Sequence, residues 1–470
     1  MGITEANRRW WVLATMAGSL SMIMIDQTVV SVALPSMRRD LDLSPVGAQW
    51  VVNVYLLVLA MLVVIGGRLG DLVGPARTFR LGVALFVGAS AFCALAVGGA
   101  SLVLARGLQA AGAALMVPAT GAILTNTFAP SERGRAMGIY SGSTMVFLAL
   151  GPLVGGLLTE LFSWRAVFFV NLPVGALTLA FAHVALAGGA GETRSGGRFD
   201  WPGAASLVAA IGALVLALMQ AQVWGWGSVV TLGAIVVAVA ATLAFVLVER
   251  RVPEPLVSPA LWRKGNTAVD NVVLAALQFA LVGLTVFGAI WVQSVLGYGA
   301  IAAGLSLLPL TVPLLIVAPL AGRLYDRHGP RLLLAGGTAL MGLSLLWLAV
   351  MLHTHSFGWI APGYVGVGVA LGLAISPAAT DALAAAGREE RGEASGVSQM
   401  SRQLGGAVGM AVLGAIVGAR SSPAAVTTAT ADAYLVAAVV LFAATGAAWT
   451  LLRRQLASDA SAPLPTAAVV

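Results

Sequence analysis

The sequence predicts an all-α integral membrane protein of fourteen helices, arranged as six, two and six. Three observations carry this. Mean hydropathy is +0.93 and only 10% of the 470 residues are charged, too little polar surface for a soluble chain of this length. Apolar runs of 18 or more residues recur along the chain, each long enough to cross a hydrocarbon core of about 30 Å as a helix. The peptide GRLGDLVGPAR at 67–77 returns as GRLYDRHGPR at 322–331: Gly67/Gly322, Arg68/Arg323, Leu69/Leu324, Asp71/Asp326, Gly74/Gly329 and Pro75/Pro330 all stand 255 positions apart. A charged turn repeated once per half marks a duplicated membrane protein. The apolar runs are continuous rather than alternating, which excludes a β-barrel.

Six helices are expected near 10–34, 47–67, 78–98, 101–125, 135–158 and 165–187. The first run has no small-residue cleavage site behind it and reads as a retained helix rather than a signal peptide. A polar, Gly-rich stretch, AGGAGETRSGGRFDWPG (187–203), then breaks the apolar pattern. Two helices near 203–221 and 229–248 and a basic loop, ERRVPEPLVSPALWRKGN (249–266), complete a central insert. Six more helices follow near 268–291, 301–322, 331–352, 359–380, 394–418 and 431–452. Six spans fill roughly 180 positions at about 20–25 residues each with their loops, so the repeat offset leaves room for two inserted helices. The domains therefore read as a first bundle (1–187), a linker with the inserted helices and a cytoplasmic loop (188–266), a second bundle (267–453) and a cytoplasmic tail (454–470).

An isoelectric point of about 10.3 invites a nucleic-acid reading, but the basic residues cluster in short loops between apolar runs, as membrane topology requires. With both termini placed in the cytoplasm, twenty-one of the 26 Lys and Arg fall on the inner side, Arg402 among them. Four (Arg38, Arg39, Arg165, Arg420) fall on the outer side, and Arg106 lies within a helix. That asymmetry sets the orientation and requires an even number of spans. A lone Cys93 excludes an intramolecular disulfide and a thiolate metal site. The four His are scattered, and neither a metal nor a cofactor is expected. The phosphate-binding pattern GxxxxGK[ST] is absent and Lys264 is the only lysine, so ATP hydrolysis is not expected. Pumping must then draw on an ion gradient, which needs an ionisable group inside the membrane.

Asp26 is such a group. It lies eight residues before Leu34, about 12 Å from the outer end of helix 1 at 1.5 Å per residue. A carboxylate at that depth needs a cavity, a partner or a proton. Arg106 enters helix 4 from the outer side to a similar depth, and Gln109 shares its face at i+3. Arginine does not usefully deprotonate, so its role there is to hold or tune a carboxylate. The plainer alternatives are a structural hydrogen bond for Asp26 and snorkelling for Arg106. Asp270 opens helix 9 and reads as a helix cap, while Asp381 ends helix 12 and reads as interfacial. In helix 5, ALGPLVGG (149–156) loses a backbone hydrogen bond at Pro152, and Gly151, Gly155 and Gly156 admit a close neighbour. This is either helix packing or a bend that seals a cavity. Asn53 and Gln278, with Tyr55 beside the former, are candidates to line a polar cavity, since amides are disfavoured against lipid.

These residues resemble the major facilitator superfamily, and within it the fourteen-helix drug:proton antiporter branch. GRLGDLVGPAR resembles the loop motif between helices 2 and 3, RGLQAAGAA (106–114) the helix 4 motif, and ALGPLVGG the antiporter motif of helix 5. DQTVVSVALP (26–35) and WRAVFFVNLPVG (164–175) resemble motifs of helix 1 and of the start of helix 6 in that branch. The resemblance implies a major facilitator fold, with the two inserted helices at the periphery. It implies that Asp26 serves proton coupling or recognition of a cationic substrate and that Arg106 takes part in proton transfer by modulating a carboxylate, with Gln109 grouped with them on the face of Arg106. Gly67, Asp71, Gly74, Arg77 and Asp326 would form a cytoplasmic gate, and Gly151, Pro152, Gly155 and Gly156 the antiporter bend. The expected function is not enzymatic. It is proton-coupled export of amphipathic drugs, antibiotics or dyes across the cytoplasmic membrane by alternating access. The expected state is a monomer whose partners are the substrate, protons and the bilayer, with no nucleic acid. The alternative is a dedicated exporter of an endogenous metabolite, lipid or siderophore on the same fold.

Overall fold

Apolar runs become helices, and Gly, Pro and short polar turns end them. A computed structural model describes residues 5–452 apart from 187–198, 254, 258–260, 264–265, 299, 387–389 and 419–421. Most of the expected linker, and the tail at 454–470, lie outside the described residues. In order the helices are α1 (Glu5–Asp40), α2 (Pro45–Val73), α3 (Pro75–Ala94), α4 (Gly99–Thr127), α5 (Pro130–Leu161), α6 (Ala166–Phe169), α7 (Asn171–Ala185), α8 (Trp201–Trp224) and α9 (Val229–Glu249). They continue as α10 (Thr267–Ser294), α11 (Ala300–Leu305), α12 (Leu308–His328), α13 (Pro330–Met351), α14 (Phe357–Ala385), α15 (Arg391–Val417) and α16 (Pro423–Leu451). No strand occurs among the described residues.

Thirteen helical spans among the described residues are long and apolar enough to cross a membrane. α5, with 32 residues, is a further long helix whose side chains are only partly described. The expectation of fourteen rests on counting α5 with the others. Two expected helices are each divided: 165–187 becomes α6 and α7, and 301–322 becomes α11 and α12. α1 runs past Leu34 to Asp40.

The repeat motif builds the same turn twice. Gly74 and Gly329 take positive φ, 102° and 75°, and Pro75 and Pro330 then open α3 and α13. Glycine tolerates the turn and proline suits the first helical position, which accounts for Gly-Pro in both copies.

The two ends of the helix bundle are distinct. At one, Arg9 Nη1 pairs with Glu132 Oε2 at 2.6 Å, and Arg8 Nε donates to the Ala185 carbonyl at 2.9 Å. This is the termini end. At the opposite end Asp40 accepts from Arg165 Nη1 at 2.5 Å and from Trp164 Nε1 at 2.9 Å. These donors, Arg165 first, hold the Asp40 carboxyl below the usual carboxylate range. A depressed pKa stabilises the fold at neutral pH, and that contribution is lost as pH falls through it. The pair is solvent-facing, so the effect is small. Unfolding temperatures of the detergent-solubilised protein and of Asp40→Asn should differ slightly at pH 7 and converge in acid. A gap that widens on acidification would contradict this.

Buried apolar side chains gather in clusters that follow the two halves of the sequence, one from residues 273–452 and two from 12–186. α8 lies across the seam between α2 and α15: Leu207, Ile211 and Val215 cluster with Val63, Val64 and Val397. α9 is the span least covered by protein, with 11% of its apolar window buried.

Candidate functional site

Six helices converge on Asp26, which is 1% exposed. Arg106 Nη1 donates to Asp26 Oδ2 at 2.5 Å and to Gln109 Oε1 at 2.6 Å. Arg106 Nε donates to the Val51 carbonyl at 3.2 Å. Gln109 Nε2 donates to Asp26 Oδ1 and to Ser90 Oγ, both at 2.8 Å. Asn171 Nδ2 reaches Asp26 Oδ1 at 3.4 Å and Ser90 Oγ at 3.3 Å. The Tyr55 ring lies 4.4 Å from the guanidinium carbon, and Phe168 lies 5.8 Å away. Helix spacing explains the convergence: Arg106 and Gln109 share a face of α4 and present a cation and an amide together. A buried ion pair survives when hydrogen bonds satisfy what the partner does not, and here both carboxylate oxygens are engaged. Ser90 and Asn171 belong to this cluster although the sequence reading omitted them. Asn171 had a signal, as the one amide in WRAVFFVNLPVG.

At the termini end the repeated aspartates make matching contacts. Asp71 accepts from the backbone N–H of Gly392 at 2.8 Å and of Glu393 at 2.7 Å, in the first turn of α15. Asp326 accepts from the backbone N–H of Gly134 at 3.2 Å and also from that of Arg135, early in α5. Each carboxylate thus meets the amino-terminal part of a helix from the other half, where negative charge is favoured. Gly67 lies against the Gly392 backbone and Gly322 against Gly134, so closely that a β-carbon on either would strike the opposing carbonyl. Arg391 donates across the seam to the Thr125 carbonyl and to Asn126 Oδ1. Arg77 is exposed on α3 and stands outside these contacts. It is a long side chain near the start of α3, on the face turned to solvent.

Gly151 and Gly155 of α5 pack against α1 at Thr28 and Val29, close in sequence to Asp26. Gly156 faces open space. The backbone stays helical through 149–156, and the side chain of Pro152 is outside the described residues.

A cavity of about 110 Å³ lies between the halves, against Leu20, Ile23 and Met24 on one side and Ser395, Ser398 and Arg402 on another. It is smaller than the roughly 300–1,000 Å³ that holds a drug-sized ligand, so a substrate of that size needs the halves to part further. None of the expected lining residues is in it. Tyr55 is buried beneath Arg106, Gln278 sits on α10 beside Gly406, and Asn53 is half-buried on α2. Nor is Asp26, which is sealed by its own partners. Arg402, assigned by sequence to the inner side, lies well within α15 and lines the cavity.

Asp270 is not a helix cap. Asn266 holds the cap position of α10, with no side-chain cap bond, and Asp270 is 0% exposed, facing Asp381. Asp381 is likewise buried rather than interfacial: Asn266 Nδ2 donates to it at 2.9 Å and Tyr325 Oη at 2.8 Å. The end of α14 folds over the start of α10 and shields both carboxyls.

A duplicated helical bundle with a sealed charge cluster and a cavity between its halves has the architecture of a membrane transporter. The sequence model of the Major Facilitator Superfamily matches residues 16–197 and 201–410, and the chain belongs to that family. The tetracenomycin C resistance and export protein of Streptomyces glaucescens is 36% identical over 416 residues, 88% of this chain and 77% of that one. The puromycin resistance protein pur8 of Streptomyces alboniger is 34% identical over 469 residues, 95% of this chain and 92% of that one. Among solved structures, the human organic anion transporter MFSD10 superposes with a TM-score of 0.68 at 15% identity, covering 92% of this chain and 99% of that one. That likeness shows the fold alone.

Proposed function

We propose that this chain is a proton-driven antiporter that exports amphipathic drugs or antibiotics across the cytoplasmic membrane by alternating access. The observation that carries the proposal is the sealed Asp26–Arg106–Gln109 cluster within membrane-spanning helices. Ionised, Asp26 is clamped by α4; protonated, it releases Arg106 and lets α1 shift. A group whose two charge states favour different contacts converts proton binding into a change of conformation.

In this reading the termini end is cytoplasmic, and the two halves, 1–187 and 267–453, rock around the cavity. The contacts of Asp71 and Asp326, with the close approaches of Gly67 and Gly322 and the turn at Gly74, form the cytoplasmic gate in its closed state. Gly151 and Gly155 let α5 transmit a shift of α1. One relative is named for resistance and export and the other for resistance, which supports export, and because each of these two is named for one compound they also favour a narrower reading, a dedicated exporter of one metabolite. One proton moved down 100 mV supplies about 2.3 kcal/mol, enough for roughly 50-fold accumulation per uncompensated charge.

The test is efflux of ethidium together with growth in puromycin or tetracenomycin C, comparing wild type with Asp26→Asn. Wild type should export at least one of the three, with the activity abolished by an uncoupler and reduced at least about tenfold in the variant. Export that survives the uncoupler, or wild-type export by Asp26→Asn, would refute the coupling.

A further inference from the structure

Two arginines sit well inside the membrane-spanning helices, and they are treated in opposite ways. Arg106 is saturated by Asp26, Gln109 and a backbone carbonyl. Arg402 stands eleven residues beyond Arg391 in α15, about 16 Å along the helix. It makes no ion pair and no hydrogen bond among the described residues. Among the described residues it is the one charged side chain lining the central cavity, and the titratable group that faces it there is Tyr140, a phenol that ordinarily ionises near pH 10. An uncompensated guanidinium at this depth is costly and marks function.

A second observation points the same way. Ser398 is one helical turn before Arg402, on the same face of α15, and also lines the cavity. Its hydroxyl is buried and makes no hydrogen bond among the described residues, although a helical serine can bond the preceding turn. Two unsatisfied donors, one charged, therefore aim at the same space. Across the cavity Leu20, Ile23 and Met24 form an apolar wall, and among the described residues no carboxylate lines the cavity to receive a cation.

We infer that the cavity, widened as the halves part, binds an amphipathic organic anion. Its acidic head pairs with Arg402 and Ser398, and its apolar body lies against α1. The inference rests on the export reading for the direction of movement and on the cavity alone for the class of ligand. Guanidinium and hydroxyl together suit a carboxylate, which accepts from both at once. A free organic acid and an anionic lipid share that chemistry.

The test uses the full chain in phosphatidylcholine nanodiscs, titrated with dansylglycine, its neutral amide dansylglycinamide and the cationic dansyl-ethylenediamine, and read by dansyl fluorescence. Dansylglycine should bind at least about tenfold more tightly than the other two. Arg402→Gln should weaken it about tenfold to hundredfold, Arg402→Lys less, and Ser398→Ala severalfold. Equal affinity for the three probes overturns the inference, as does unchanged binding in Arg402→Gln. If Arg402→Gln does not fold, Ser398→Ala decides: wild-type dansylglycine binding in that variant overturns it. Displacement by added phosphatidylglycerol assigns the site to a lipid head; persistence of dansylglycine binding assigns it to a free acid. In proteoliposomes, Arg402-dependent binding without proton-driven movement of any probe keeps the anion site and sinks the export reading. Proton-driven movement of the amine, unaffected by Arg402→Gln, does the reverse.

Discussion

Replacing Arg106 by Leu should abolish export and cost about 3–5 kcal/mol of stability, because it leaves the Asp26 carboxylate buried with no counter-charge. The cluster has no water-facing route by which to relax: Asp26 and Arg106 are each 1% exposed and Gln109 is 0%. Gln109 and Asn171 can still donate to the carboxylate, but neutral amides do not replace a guanidinium held at 2.5 Å. The double variant Asp26→Leu/Arg106→Met removes both charges. It should regain most of the lost stability, since apolar substitution of a whole buried pair is often neutral or better, and it should regain no export. The measurements are thermal unfolding in detergent beside uncoupler-sensitive efflux in cells. Wild-type stability in Arg106→Leu would mean that the pair adds nothing to the fold. Restored export in the double variant would remove Asp26 from the coupling scheme.

The second large effect is at the seam. Gly322→Val should lock the termini end open and reduce export by about a hundredfold or more, while leaving the protein folded. Its β-carbon would meet backbone atoms of Gly134, which cannot rotate away, so the closed arrangement becomes sterically inaccessible. The atoms a β-carbon at 322 or 67 would meet belong to the opposing half, so the fold of each half should stay intact. Gly67→Val should act in the same way against Gly392, whereas Gly70→Ala, with open space around it, should be silent. Spin labels at Ser131 and Arg327, both exposed beside the α5–α12 seam, read the outcome. Their separation should lengthen in Gly322→Val and stay at the wild-type value in Gly70→Ala. An unchanged separation in Gly322→Val would show that the seam admits a larger side chain.

Much of this was legible in the residues. A carboxylate and an arginine inside apolar runs are so costly that Asp26 and Arg106 stood out at a similar depth, with Gln109 on the face of Arg106; that the three meet is read from the packed helices. The repeat offset likewise placed Asp71 and Asp326 in equivalent turns. What escaped has two causes. Ser90, Asn171 and the facing of Asp270 and Asp381 depend on side chains from different helices, and no local period encodes which helices adjoin. Arg402 is a different matter. It lies eight residues inside the helix expected at 394–418, much as Arg106 lies inside its own, and only assignment to the nearer loop hid it. Asn53, Tyr55 and Gln278 were chosen because polar groups avoid lipid. That argument removes them from the lipid face but does not separate a cavity from a helix–helix contact.

α8 carries a mechanical consequence. It lies against α2 with one part of its surface and against α15 with another, and those helices belong to opposite halves. Any relative rotation of the halves must therefore slide past it. The contacting side chains, Leu207, Ile211 and Val215 against Val63, Val64 and Val397, are aliphatic and have no directional register to break. A small displacement exchanges one dispersion contact for another of similar depth. If the halves rotate as proposed, the inserted helix would act as a lubricated bearing, covering the joint between α2 and α15 without fixing the angle at which they meet.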